Sequence, residues 1–356
     1  MEMLRRRGLI FVALSITCII AGGFPAAAQD VIKIQTELVN LNVVVRDRDG
    51  HRVTGLRKED FEVFEDDSRQ EITHFRAEEI PLRLVLVFDL SLSMEAVLPT
   101  VKQGAGALLD SLRDEDEISV VAFASRVYQV SGWIKKDQAR DLIDRLEAEP
   151  HPQPVTPTIF HAGYRVGDAN TYLFEAFKHC LTHFENSDDR VAIIMFTDLV
   201  DTGGGRLIPK MKNRADQMGN EDMQLAQQSW GMVYPIRYQT RQIIGDLPKP
   251  APRPFPNGIQ IGHAPPDPTK GVFEKIVAAS GGEIFDWTTR ADLVGAVGNV
   301  LADLRSQYSL GYRPPQPDAA GFRHLKVQVK RPNLSVRTRE GYIKPQQSRP
   351  RRTTSS

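Results

Sequence analysis

Between Leu84 and Leu304 the apolar residues switch repeatedly between two spacings. Leu84 to Phe88 is a continuous apolar run of strand length, after which Val97, Val101, Ala105, Leu108, Leu109 and Leu112 mark one face of a helix. Ile118 to Ala124 reads as a second buried strand. The helical face Leu173, Ala176, Phe177, Cys180, Leu181 and Phe184 comes next, then strands at Val191 to Phe196, Met232 to Ile236 and, after Gly281-Gly282, Glu283 to Trp287. Leu293, Ala296, Val297, Val300, Leu301 and Leu304 face inward from a closing helix. Strands that alternate with helices need crossover connections. Residues 81–308 are therefore expected to form an α/β domain: a doubly wound, mostly parallel, Rossmann-like sheet covered on both faces.

The flanks follow a different rule. Val39, Leu41, Val43 and Val45 sit at every second position and run into Asp47-Arg48-Asp49-Gly50, which is turn chemistry. Phe61, Val63, Ile72 and Phe75 suggest short strands, with a turn at Glu65-Asp66-Asp67. Leu325, Val327 and Val329 alternate with polar residues, Pro332-Asn333 turns the chain, and Leu334 and Val336 resume the pattern. Neither end has enough apolar surface for a core of its own. Residues 30–80 and 309–345 are expected to pair into one flanking β-sandwich with the α/β domain inserted between them. Residues 346–356 read as a disordered basic tail.

The beginning of the chain reads as an address. Arg5, Arg6 and Arg7 precede an apolar run from Leu9 to Ala21 and then Ala26-Ala27-Ala28, the layout of a secretory signal peptide at residues 1–28, cleaved after Ala28. The run is shorter than the roughly 20 residues that comfortably span a bilayer, and no other stretch is apolar enough to do so. The expected location is periplasmic or extracellular, with no membrane span in the mature chain. Lysines plus arginines equal aspartates plus glutamates at 45 each; loss of three arginines and Glu2 with the signal moves the balance from zero to −2. Such a balance disfavours nucleic acid and anionic membrane surfaces as partners. Of two cysteines, Cys18 lies in the signal, leaving Cys180 alone, without a disulfide partner or a cysteine-based zinc site. Its place on a helical apolar face makes it a small buried hydrophobe.

Sheets of the doubly wound kind bind ligands beyond the carboxyl ends of their strands. Directly after Leu84 to Phe88 comes Asp89-Leu90-Ser91-Leu92-Ser93, and directly after Val191 to Thr197 comes Asp198. In a strand-to-helix turn, Asp89, Ser91 and Ser93 can aim short oxygen-bearing side chains at one point while Leu90 and Leu92 face the protein. Alone, each is an ordinary turn or helix-capping residue. Together, hard oxygen donors suit Mg²⁺, with Mn²⁺ or Ca²⁺ as substitutes.

Asp89-Leu90-Ser91-Leu92-Ser93 resembles the DxSxS signature of the metal-ion-dependent adhesion site in von Willebrand factor type A and integrin domains. The resemblance extends over most of residues 82–308. In that family a threonine from a second loop and an aspartate after a later strand complete the site, which implies that Thr171 and Asp198 join Asp89, Ser91 and Ser93 as metal ligands. It also implies a protein partner whose acidic side chain completes the coordination. The segments Glu59-Asp60-Phe61-Glu62-Val63-Phe64-Glu65-Asp66, Ser306-Gln307-Tyr308-Ser309-Leu310-Gly311-Tyr312 and Arg339-Glu340-Gly341-Tyr342 resemble exported bacterial proteins, abundant in acidobacteria, called VWFA-related. Two features depart from the pattern: Leu199 follows Asp198 where the family usually has glycine, and Glu149 to Asn170 is long and proline-bearing.

No catalytic residues and no organic cofactor site are assigned. The chain has no G-x-S-x-G elbow, no H-E-x-x-H helix, and no lysine after Gly203-Gly204-Gly205 to make a phosphate loop. His151, His161, His183 and His263 lack metal-ligand spacing. Asp201 reads as a solvated loop acid, and Leu247 to Pro268 as an exposed extended insertion. The reading is an exported, non-enzymatic, metal-dependent protein-binding or adhesion module. Its alternatives are a secreted metal-dependent hydrolase and a metal-free envelope scaffold module.

Overall fold

A computed structural model describes residues 38–77, 80–148, 160–161, 164–165, 171–181, 190–200, 223–227, 231–239, 271–314 and 321–344. The signal at 1–28, most of the 149–170 stretch, Asp201, Gly203 to Gly205, the 247–268 insertion, the tail at 346–356 and His151, His183 and His263 lie outside the described residues. No helix among the described residues is long and apolar enough to cross a membrane.

The first strands are β1 (Val39–Arg46), β2 (Phe61–Glu65), β3 (Ser68–Gln70) and β4 (Ile72–Arg76). β1 turns at Asp47 to Gly50: Asp47 N–H donates to the His51 carbonyl at 2.9 Å, and Gly50 takes φ 83°. The acidic turn after β2 is tighter, with Asp66 and Asp67 both left-handed at φ 46° and 63°. That conformation suits aspartate better than most side chains, which is why an acidic pair sits there.

The α/β region follows as β5 (Leu82–Asp89), α1 (Leu92–Glu95), α2 (Leu98–Asp110), β6 (Glu117–Phe123), β7 (Val127–Gln129), α3 (Lys136–Asp144), the two-residue pair β8 (Phe160–His161) and β9 (Tyr164–Arg165), α4 (Leu173–Leu181), β10 (Arg190–Thr197), β11 (Met232–Tyr238), α5 (Val272–Ser280), β12 (Phe285–Trp287) and α6 (Arg290–Arg305). Six strands form one sheet in the order β12-β11-β10-β5-β6-β7, parallel except for the short edge strand β7. β5 is central. Its continuous apolar run is shared between two cores by the two-residue period of a strand: Leu82, Leu84, Leu86 and Phe88 pack with α2, α3 and α6, while Val85 and Val87 pack with α4 and α5. Cys180 belongs to the second core and is fully buried, and that burial raises its thiol pKa far above the ordinary range. α2 and α6 approach so closely that a Cβ at Gly104 would sit 2.6 Å from Leu293.

After α6 come β13 (Tyr308–Tyr312), β14 (Gly321–Val329), β15 (Ser335–Arg337) and β16 (Gly341–Lys344). They pair with the N-terminal strands in two four-stranded sheets, β15-β1-β13-β4 and β16-β14-β2-β3. Val39, Leu41 and Val43 of the first sheet share a core with Phe61, Val63, Leu325 and Val327 of the second. The flanking β-sandwich is thus built from both ends of the chain, and neither end supplies a complete sheet.

The sandwich and α6 meet at Asp303. This carboxylate is fully buried and accepts from Arg46 of β1 at 2.9 Å, from Arg52 Nε at 2.7 Å and from Arg337 of β15. Arg46 also forks onto Glu283 at 2.6 and 3.2 Å. Two acids therefore face three guanidiniums, which settles the charge of a buried carboxylate within the chain itself.

Candidate functional site

β5 lies between β6 and β10 with Asp89 opposite Phe123 and Phe88 opposite Phe196. The carboxyl ends of three parallel strands therefore finish at one level, and the loops that leave them share an edge. Leu90 N–H extends the β5–β6 ladder by donating to the Phe123 carbonyl at 2.8 Å. The chain then breaks into the single turn α1, where Ser91 is the extended N-cap residue and Met94 is buried as its anchor.

This geometry draws Asp89, Ser91 and Ser93 together. Ser91 N–H donates to Asp89 Oδ1 at 2.9 Å, and the Ser91 and Ser93 hydroxyls lie 3.1 Å apart. Asp89 and Ser91 are buried and Ser93 is exposed, so the cluster runs from the sheet end to solvent. One detail differs from the sequence reading: Leu90 is buried, but Leu92 is 49% exposed. Strand alternation stops at Ser91, and in the helical turn that follows it is Met94 that faces inward.

Thr171 is buried just ahead of α4, and the neighbouring Tyr172 N–H donates to the Ala124 carbonyl at 3.0 Å. Ala124 is one residue beyond the register partner of Asp89, so the Thr171 loop is fastened to the same edge. Asp198 is buried directly after β10, and its Oδ1 accepts from Val200 N–H at 3.2 Å. Leu199 takes φ 58°, the left-handed conformation that glycine adopts without strain, and its side chain packs on the second core.

Thr197 is a member of this edge that sequence reasoning passed over. Its Oγ1 donates to Asp89 Oδ2 at 2.8 Å and accepts from Leu199 N–H at 3.0 Å. Only the register of β5 against β10 reveals it, because a threonine closing a strand is otherwise unremarkable.

Burial, and then the charge of Asp198, push the Asp89 carboxyl up to about 7. The hydrogen bonds from Ser91 and Thr197 oppose that rise, and no basic side chain is among the groups that govern it. Asp89, Ser91, Thr171, Thr197 and Asp198 thus lie buried at one edge, and Asp89 meets a backbone amide, a hydroxyl and a second acid where Asp303 meets three arginines. Oxygen donors that include two neighbouring carboxylates fit a hard divalent cation, and two carboxylates with neutral hydroxyls fit Mg²⁺ better than Ca²⁺, which favours more oxygens. Asp47, Asp49 and His51 also gather on the β1 turn. There Asp47 Oδ1 already accepts from Asp49 and His51 N–H, both at 2.9 Å, so its role is to hold the turn.

Residues 84–203 match the model of the von Willebrand factor type A domain. No curated protein matches the chain. Solved structures of similar fold include the von Willebrand factor type A protein from Catenulispora acidiphila, at 13% identity and a TM-score of 0.43, covering 80% of this chain and 65% of that one. The PilB minor pilin from Streptococcus sanguinis matches at 10% identity and a TM-score of 0.39, covering 65% of this chain and 63% of its own. The pilus adhesin SpaC from Lactobacillus rhamnosus GG, in an open conformation, matches at 9% and 0.40, covering 82% and 48%. The chain spans less than two thirds of the length of each. It contains a von Willebrand factor type A domain, and the matched residues include Asp89, Ser91, Ser93, Thr171 and Asp198.

Proposed function

We propose that this chain is an exported, non-enzymatic protein-binding module that holds one divalent cation, Mg²⁺ by preference, through Asp89, Ser91, Ser93, Thr171 and Asp198, and through that cation engages an acidic side chain of a partner protein. The observation that carries the reading is the pair of buried acids at one sheet edge, close enough for the charge of Asp198 to raise the Asp89 carboxyl, with buried Ser91 and Thr171 on the same edge. Held there, a hard cation supplies positive charge and an open coordination place for a carboxylate oxygen.

The chain's own residues do the rest. Asp89 and Asp198 contribute the negative charge that retains the ion, and Ser91, Ser93 and Thr171 contribute neutral oxygens that leave it electrophilic. Exposed Ser93 and Leu92 form the rim a partner would meet, so contact there combines an ionic anchor with an apolar neighbour. Export rests on Arg5 to Arg7, the apolar run from Leu9 to Ala21 and Ala26 to Ala28.

Affinity capture from an extract of the source cells, with and without EDTA, tests the proposal. A partner retained with Mg²⁺, released by EDTA and absent with Asp89→Ala supports it. Retention that ignores EDTA contradicts the metal-dependent reading and favours the scaffold, whereas Mg²⁺-dependent turnover of ester or phosphate substrates favours the hydrolase.

A further inference from the structure

We infer that Thr197 is a positioning residue of the cation site, its hydroxyl held from behind by the Leu199 N–H so that it must present its proton to Asp89 Oδ2. The inference rests on the reading of the Asp89 edge as a cation site. A hydroxyl has one proton and two lone pairs. The 3.0 Å contact from Leu199 N–H can only be accepted, since an amide nitrogen is a donor, and the one proton is left for the 2.8 Å contact with Asp89.

Asp89 is thereby gripped on both sides. Oδ1 accepts from Ser91 N–H at 2.9 Å and Oδ2 accepts from Thr197, while each oxygen keeps a lone pair for a cation. Neither contact can be made by turning the carboxyl away from the edge. A ligand whose orientation is fixed before the ion arrives binds it more tightly than one that must be ordered.

The support behind Thr197 reaches the second core. Leu199 holds φ 58°, a conformation that strains a non-glycine residue, and its side chain packs against the core that contains Phe174 and Phe177. Packing of a leucine there offsets the strain and keeps the amide beneath the Thr197 hydroxyl. The order of support runs from core to Leu199, from its amide to Thr197, and from Thr197 to Asp89.

The test compares Thr197→Val, which keeps the shape and removes the hydroxyl, with Thr197→Ser, which keeps the hydroxyl. Mn²⁺ affinity is read by calorimetry on the full exported chain, and exchange of the Leu199 amide by hydrogen exchange on the metal-free protein. Thr197→Val should weaken Mn²⁺ binding about tenfold or more, and Leu199 should exchange faster; Thr197→Ser should restore both. If valine does not fold, Thr197→Ala removes the same hydroxyl with a smaller side chain and should show the same pair of losses. Wild-type affinity in the variant lacking the hydroxyl overturns the inference, as does a loss in Thr197→Ser equal to that in Thr197→Val. A wild-type chain that takes up no Mn²⁺ instead overturns the cation reading on which the inference stands.

Discussion

Asp89 and Asp303 are both buried acids of one chain, 1% and 0% exposed, and they are treated in opposite ways. Asp303 receives three arginines at the seam between α6 and the sandwich. Asp89 receives a backbone amide, a threonine hydroxyl and the proximity of a second acid, Asp198. A buried carboxylate must be neutralised by something, by a proton, a cationic side chain or an ion from solution. At Asp303 the chain supplies the cation, and the acid holds two modules together. At Asp89 no ion pair forms among the described residues, and the acid is left to titrate or to bind.

The contrast is broken most forcefully at Asp303. Replacing it with alanine leaves Arg46, Arg52 and Arg337 converging without their acid, and should destabilise the protein by about 3–5 kcal/mol in urea unfolding. A loss below about 1 kcal/mol would mean that the three guanidiniums find water as readily as Asp303.

Asp89→Asn should do the reverse. At pH 8 without metal, removal of a buried charge beside Asp198 should leave urea stability within about 1 kcal/mol of wild type or above it. Mn²⁺ uptake by the same variant should disappear. Strong destabilisation by asparagine would show that Asp89 is a structural acid like Asp303.

The pH dependence sharpens the comparison further. The folded Asp89 carboxyl lies near 7 and the unfolded one near its ordinary 3.8. In the metal-free protein the stability that protonated Asp89 contributes is complete below about pH 4 and is lost as pH rises toward 7. Cation binding has the opposite sign, because protons compete for the ligand. Apparent Mn²⁺ affinity should therefore fall below pH 7, by at most about tenfold per unit, when titrated calorimetrically between pH 5 and 8. An affinity flat across that range would show that the Asp89 carboxyl does not titrate near 7 in the metal-free protein.

The smallest effect is expected at the rim. Leu92→Ser should change stability by no more than about 0.5 kcal/mol, since the side chain is already half in solvent, yet it should weaken capture of a partner.

What the sequence disclosed follows from how local each signal is. The apolar run Leu84 to Phe88 and the alternation at Val39 to Val45 announce their strands because burial imposes a period on neighbouring residues. Asp89, Ser91 and Ser93 stand out because an acid and two hydroxyls at every second position end a buried strand. Leu92 was misplaced because that alternation was carried one residue into a helical turn. Thr197 and Asp303 could not be singled out at all. The first acquires its role from a strand register, and the second from Arg46 and Arg52, some 250 residues earlier, and from Arg337 of the last strands. Leu199 illustrates the intermediate case: its identity drew notice, but its left-handed backbone and its packing on the second core are visible only in the fold.

Isothermal calorimetry of Mg²⁺ and Mn²⁺ with the wild-type chain at pH 7.5, alongside Asp89→Asn, probes the centre of this account. Uptake of a single ion by the wild type, absent from the asparagine variant, is the result expected. Heats indistinguishable from dilution in both proteins would contradict it.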